Sequence, residues 1–267
     1  MHKIRLFCTI SIFLCALCSN SAAQDWESMA VAYERLIYDG AGLAETNEAL
    51  LAKAECYKML GRYDDASGTL ARIRMYALTE EERNAVLYQQ ELCHFLAGDL
   101  EQAVTMVGEV EPLSQDILLL HALVLAYSGR YDESGVMAAR CLCWNGESQY
   151  LDELLALYIQ HPAEKDEVAA TVLGFLPPLG HFYNEAYGEG LLSLGLNAAS
   201  VSYIVLNCMG GYWISGIVGG LIALNYTLMG AQERSIALAA TGNCNARIEF
   251  GERVREFFGR ALEGREL

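Results

Sequence analysis

The stretch "GLLSLGLNAASVSYIVLNCMGGYWISGIVGGLIALNYTLMGAQ", Gly190–Gln232, decides the fold. These 43 consecutive residues, bounded by Glu189 and Glu233, contain no charged side chain. A helix needs about 20 apolar residues to cross a bilayer, so the run is nearly twice that length. Met209-Gly210-Gly211 sits at its midpoint and divides it into two spans, expected at about 190–208 and 212–232. Gly216 and Gly220 are four residues apart, as are Gly195 and Ala199. Small residues at that spacing let helices touch closely in lipid, so these four are the expected helix-packing positions. Tyr212, Trp213 and Tyr226 are placed as interfacial anchors. Asn197, Asn207 and Asn225 are the polar residues inside the run, where amides serve as glue between helices. An ion or proton path calls for acids or bases, and the run has none. The soluble alternative is a buried helical hairpin, which a chain of 267 residues has no evident means of covering.

Just upstream, "GFLPPLGHFYNEAYGEG" (Gly174–Gly190) leads the chain into this run. Pro177 and Pro178 lack an N–H and should end the short apolar helix that begins near Val168. Gly180, Gly188 and Gly190 are expected to let the chain turn, with Phe182, Tyr183 and Tyr187 at headgroup depth. His181, Asn184 and Glu185 form a polar cluster, better explained as the wet rim of a hairpin than as catalytic groups.

The other half of the chain is acidic. Residues 24–167 hold 26 acids and 10 bases, and residues 168–267 hold 8 and 6; the whole chain carries a formal charge of −16. Such acidity argues against nucleic acid and anionic headgroups as partners, and it keeps a domain soluble. At the N-terminus, Lys3 and Arg5 precede an apolar core from Leu6 to Leu17, and Ser21-Ala22-Ala23 follows. This is the pattern of a secretory signal (residues 1–23) cleaved after Ala23. Lipidation would use Cys15 or Cys18, yet bulky Phe13, Leu14 and Leu17 stand where small residues are wanted.

Within the acidic half, three segments align on a turn glycine: Gly61, Gly98 and Gly129, at intervals of 37 and 31 residues. Each glycine is followed by Tyr63, Leu100 or Tyr131, then by a small residue, Ala66, Ala103 or Ser134. Glycine permits the left-handed cap that ends a first helix. Asp64, Asp99 and Asp132 then suit the positive end of a second helix. Leu50, Ala54 and Tyr57 form a stripe at helical spacing, repeated by Leu118, Ala122 and Leu125. Thr79-Glu80-Glu81-Glu82 offers a capping box before the next helix.

These units resemble tetratricopeptide repeats, most closely at Gly61-Arg62-Tyr63-Asp64-Asp65-Ala66. The resemblance covers about Glu45–Cys143, with a flanking helix from Trp26 to Tyr38, and Glu91 stands where the family prefers a small residue. It implies a short helical solenoid over residues 24–161 whose curved face binds a protein or peptide. The alternative is a spacer that holds a neighbouring domain at a distance.

The "FLPPLGHFYNEAYGEGLLSLGLNAA" segment is in turn similar to one found in small membrane proteins of the Bacteroidota type. There a Pro-Gly-x-Gly-Gln-x-Tyr turn and a Gly-Glu-Gly element lead into a membrane hairpin; TM2-type two-span domains are more distantly similar. The residues that carry the likeness are Pro177, Gly180, Tyr183, Tyr187, Gly188, Glu189, Gly190 and Asn197, with Pro178 in place of glycine and His181 in place of glutamine. The likeness runs from about Glu167 to Phe250 and implies an architecture but no particular activity; the membrane domain is expected over residues 162–240.

No catalytic, cofactor or metal site is expected. His94 and His121 each lack a His, Cys or carboxylate at i+3 or i+4, which points to packing or surface roles. The six cysteines beyond the signal match no disulfide framework, although bonding of Cys141 or Cys143 elsewhere stays open. The tail, residues 241–267, puts Phe250, Val254, Phe257, Phe258 and Leu262 on one face of an amphipathic helix. That face can lie on the membrane or dock on the repeats. The expected molecule is therefore all-α: a helical solenoid followed by a transmembrane hairpin. It is expected to be a non-enzymatic interaction or assembly scaffold of the bacterial cell envelope. Its site is the bacterial cell membrane, the inner one, with repeats and C-terminus on the periplasmic side. The alternative is a membrane-embedded component of a transport or protein-insertion assembly.

Overall fold

A computed structural model describes residues 25–40, 42–106, 114–144, 146 and 148–262, so the expected signal lies outside the described residues. Among those described, the chain is all-helical, without strands. It divides into two compact units. One comprises residues up to Ile159 together with those from Val254 onward, and the other runs Gln160–Arg253.

The first unit is a series of helical pairs. After α1 (residues 25–38) come α2 (Leu43–Met59) and α3 (Tyr63–Leu70), then α4 (Glu80–Ala97) and α5 (Leu100–Met106), then α6 (Gln115–Tyr127) and α7 (Tyr131–Trp144), with α8 (Leu151–Ile159) last. The pairs form where the sequence places its turn residues. Gly61, Gly98 and Gly129 take φ of +69°, +83° and +83°, a region open to glycine without a Cβ penalty. Thr79 closes the expected capping box: its hydroxyl accepts from the Glu82 N–H at 3.3 Å and its own N–H donates to Glu82 Oε2 at 2.8 Å. The Asp99 carboxylate caps α5 by accepting from the Gln102 N–H at 3.1 Å.

Each crossing has an alanine or serine at its centre. Ala66, Ala103 and Ser134 are wholly buried, and the stripe residues Leu50, Ala54, Leu118, Ala122 and Leu125 are nearly so. Leu50, Ala66, Leu70, Val86 and Cys93 form one apolar cluster, and Ala103, Leu120 and Val124 another. Burying a leucine of this kind contributes about 2 kcal/mol. The chain from Val254 onward also belongs to this unit: Val254, Phe257, Phe258 and Leu262 are buried, and Arg260 pairs with Glu153 at 3.0 Å. Four of the five residues on the tail's apolar face are thus packed within this first unit, and Phe250, also buried, belongs to the second.

The second unit contains α9 (Glu167–Gly174), α10 (Leu179–Tyr183), α11 (Tyr187–Met209) and most of α12 (Trp213–Ala261). Asp166 caps α9 by accepting from the Val168 N–H at 2.7 Å, and the Pro177–Pro178 segment ends that helix as expected. Helix α11 and the start of α12 form a hairpin about Gly211, whose φ is +82°. Each helix has an 18-residue window of mean hydropathy 1.5, only 17% of it buried. A core helix of a water-soluble protein would be mostly buried, so these two are long and apolar enough to cross a membrane and are exposed as such helices are.

One boundary differs from expectation. A span ending near 232 and a separate helix from 241 were expected; α12 instead runs unbroken for 49 residues. Composition changes from apolar to charged at Glu233, but a change of composition does not stop a helix. No proline interrupts the segment.

Candidate functional site

The residues at the turns of the helical pairs act structurally. Gly61, Gly98 and Gly129 make the turns, Ala66 and Ala103 fill the crossings, Tyr131 is buried, and Tyr63 is half-buried. Ser134 holds two neighbours at once: its hydroxyl donates to the Ala122 carbonyl at 2.6 Å and meets the Tyr158 hydroxyl at 2.7 Å.

The position eight residues before each turn glycine is polar yet buried in all three pairs: Lys53, Gln90 and His121. Two of these reach back to an earlier helix. Lys53 pairs with Glu34 of α1 at 2.7 Å, and His121 Nδ1 meets Glu91 Oε1 of α4 at 2.6 Å. His121, expected to stand alone, therefore has a carboxylate partner. Local spacing could not show it, because the two residues lie 30 positions apart on different helices. The available signal was Glu91 itself, a carboxylate at the repeat position held by Ala54 and Ala122. Glu91 is fully buried, burial pushes its carboxyl upward, and its Oε2 has no protein partner. His94 likewise bonds across helices, its Nε2 lying 2.6 Å from the Ser67 hydroxyl.

The first unit also holds a groove of about 680 Å³. Glu80, Glu81 and Tyr88 of α4, Asp116 of α6 and Trp144 of α7 line it. Three carboxylates give it negative potential, and Trp144, 58% exposed, offers an open aromatic face. That combination suits a cationic side chain, held by charge and by the ring quadrupole.

In the second unit, the residues from Pro177 to Asn197 build a packed corner. Glycine was expected to turn the chain at Gly180, Gly188 and Gly190, but none of them has a positive φ; Glu185, at +63°, makes the turn. Gly180 and Gly190 are small because neighbours touch them. A Cβ on Gly180 would lie 2.6 Å from the Gly174 Cα, and one on Gly190 would lie 2.7 Å from the Phe182 ring. Gly188 has open space. Tyr183 accepts from the Asp166 N–H at 2.8 Å, while Tyr187 is exposed beside Phe182. The Asn184 amide donates to the Gly180 and Ser235 carbonyls, both at 2.9 Å, which clamps α10 to α12. Arg234 donates to both oxygens of Glu189, at 2.7 and 2.8 Å.

Of the helix-packing positions, Gly216 and Gly220 lie at the contact, where added Cβ atoms would fall 2.8 Å from Asn207 Cβ and 2.1 Å from Ile204 Cγ1. Gly195 and Ala199 do not: both are exposed, and Gly195 has nothing within 4 Å. The buried face of α11 carries Ser193, Asn197 and Ser200. Gly195 is two residues from Ser193, on the opposite side of a 3.6-residue turn. Asn197 joins the helices by accepting from the Thr227 hydroxyl at 2.8 Å, whereas Asn207 bonds within α11 and Asn225 is exposed.

His181, Glu189, Ser193 and Arg234 face a cavity of about 540 Å³ in this unit. Burial pushes the His181 imidazole down, so it is neutral near pH 7. Among the described residues, no three His, Cys, Asp or Glu side chains group to hold a metal ion. Cys56, Cys93, Cys141, Cys143, Cys208 and Cys244 are free thiols, and burial pushes Cys141 up to about 11, far from a reactive thiolate. No family model, no curated protein and no solved structure matches this chain.

Proposed function

We propose that this chain is an exported, membrane-anchored helical-repeat protein that serves as an interaction or assembly scaffold in the bacterial cell envelope. The repeats are tetratricopeptide-like, and the hairpin is the anchor, in the inner membrane, with repeats and C-terminus on the periplasmic side. The protein acts by binding rather than by catalysis. The observation that carries this reading is the acidic groove with its exposed Trp144. It suits a partner segment bearing lysine or arginine.

The test is photocrosslinking in intact envelopes from a benzoylphenylalanine at Trp144. The expected outcome is a discrete adduct that disappears in a variant with Glu80→Lys, Glu81→Lys and Asp116→Lys. Absence of any adduct, or an adduct indifferent to the three charges, overturns the reading. Exchange of the hairpin for an unrelated two-span anchor should leave the adduct intact. Its loss on that exchange favours the hairpin as a working part of a transport or protein-insertion assembly.

A further inference from the structure

We propose that the cavity beside the first turns of α11 binds the headgroup and glycerol region of one phosphoethanolamine-type phospholipid. This rests on the membrane reading above. Two side chains facing the cavity are nine-tenths or more buried and lack hydrogen-bond partners. His181 is 3% exposed with its Nδ1 unpartnered, and Ser193 is 9% exposed with its hydroxyl unpartnered. Native proteins rarely leave such atoms unsatisfied, and each one here points to a ligand atom that completes it.

The lining is charged at one end and mixed beyond it. Glu189, in the first turn of α11, is paired with Arg234; Leu192 and Ser193 follow one turn later and Leu196 one turn beyond, with Tyr226 and Thr227 of α12 opposite. A charged pair, then hydroxyl, imidazole and apolar surface together, matches the mixture of groups in the headgroup and glycerol region of a phospholipid. The cavity, about 540 Å³, has the size of an ordinary small-molecule site. It accommodates a headgroup and glycerol, with acyl chains lying along the leucines.

The charges select the headgroup. A purely anionic one would satisfy Arg234 but sit against Glu189. A zwitterion places its phosphate on Arg234, whose Nη1 takes no part in the ion pair, and its cation on Glu189. A primary ammonium donates hydrogen bonds to a carboxylate, which a quaternary choline cannot do. The Ser193 hydroxyl and a neutral His181 then donate to the ester carbonyls.

The experiment uses the full chain, purified in mild detergent, with retained lipid quantified by mass spectrometry after exchange into nanodiscs. The discs contain phosphatidylethanolamine, phosphatidylglycerol and phosphatidylcholine in equal amounts. The expected result is about one phosphatidylethanolamine retained per chain, reduced about tenfold in both Arg234→Gln and Glu189→Gln. Melting in lipid-free detergent should be unchanged, because a half-exposed ion pair contributes little. The exchanged pair, E189R with R234E, restores the helix contact but reverses the charges. Lipid retention should stay lost in it; recovery would show a purely structural pair and overturn the proposal. Equal retention of the three lipids, or no change in the single variants, also overturns it. Recovery of the wild-type chain in the soluble fraction without detergent overturns the membrane reading instead.

Discussion

Glycines at helix crossings and buried polar pairs make the sharpest residue-scale claims. Gly220 sits where an added methyl would fall 2.1 Å from Ile204 Cγ1, whereas Gly195 has open space. Gly220→Ala should therefore destabilise the hairpin by about 1–3 kcal/mol, through overpacking. Gly195→Ala should stay within about 0.5 kcal/mol of wild type. Denaturant titration in detergent reads both, and equal effects would show that this crossing is misplaced. The second case is the buried Glu91–His121 pair. Glu91→Ala strands an imidazole among apolar side chains and should cost about 3–5 kcal/mol. Replacing the pair by Met and Leu together should be neutral or stabilising, because desolvation of the pair is then relieved. A double-mutant cycle on thermal unfolding reports the coupling. Neither pairing was legible in the sequence, which shows spacing along one helix but not which faces meet.

At the scale of elements, the legible parts were the local ones. A turn glycine, a helix-start aspartate and a capping box each act within a few residues, so Gly61, Gly98, Gly129 and Thr79 could be assigned from spacing alone. Helix α12 was not legible because charge begins at Glu233 without any chemical stop signal. If its continuity matters, Ala240→Pro, at an exposed position, should cost about 3 kcal/mol. A chain with two independent helices would tolerate the change. Helix α1 is tied to the helical pairs through Glu34, which the Arg72 and Lys53 hydrogen bonds hold at about 2, below the usual 4.5. A carboxyl lowered on folding adds stability above its unfolded value and loses it as pH falls toward its folded one. The first unit should accordingly weaken between pH 4.5 and 2. Glu34→Gln should be less stable at neutral pH and show a shallower acid limb in circular dichroism. A limb identical to wild type would remove Glu34 from the account.

For the whole molecule, an acidic stretch and an uncharged one could be read from charge alone, whereas the return of the chain from Val254 onward to the first unit could not. The arrangement inside each half depended on contacts between residues far apart in sequence. Topology is the property that joins the two halves, and the native thiols can report it. In the proposed topology two crossings return the chain to the side from which it started, so residues before α11 and after its partner span share a compartment. Cys143 and Cys244, both exposed, flank the hairpin on the two sides in sequence. In the proposed topology the Gly210–Gly211 turn lies on the opposite face; Met209 beside it is 82% exposed. An impermeant maleimide added to the periplasmic side of intact cells should label Cys143 and Cys244 but not Met209→Cys in a background lacking other thiols. After disruption of the membrane, all three should react. Labelling of Met209→Cys in intact cells would place the turn on the periplasmic side, and labelling of one native thiol without the other would require an odd number of crossings.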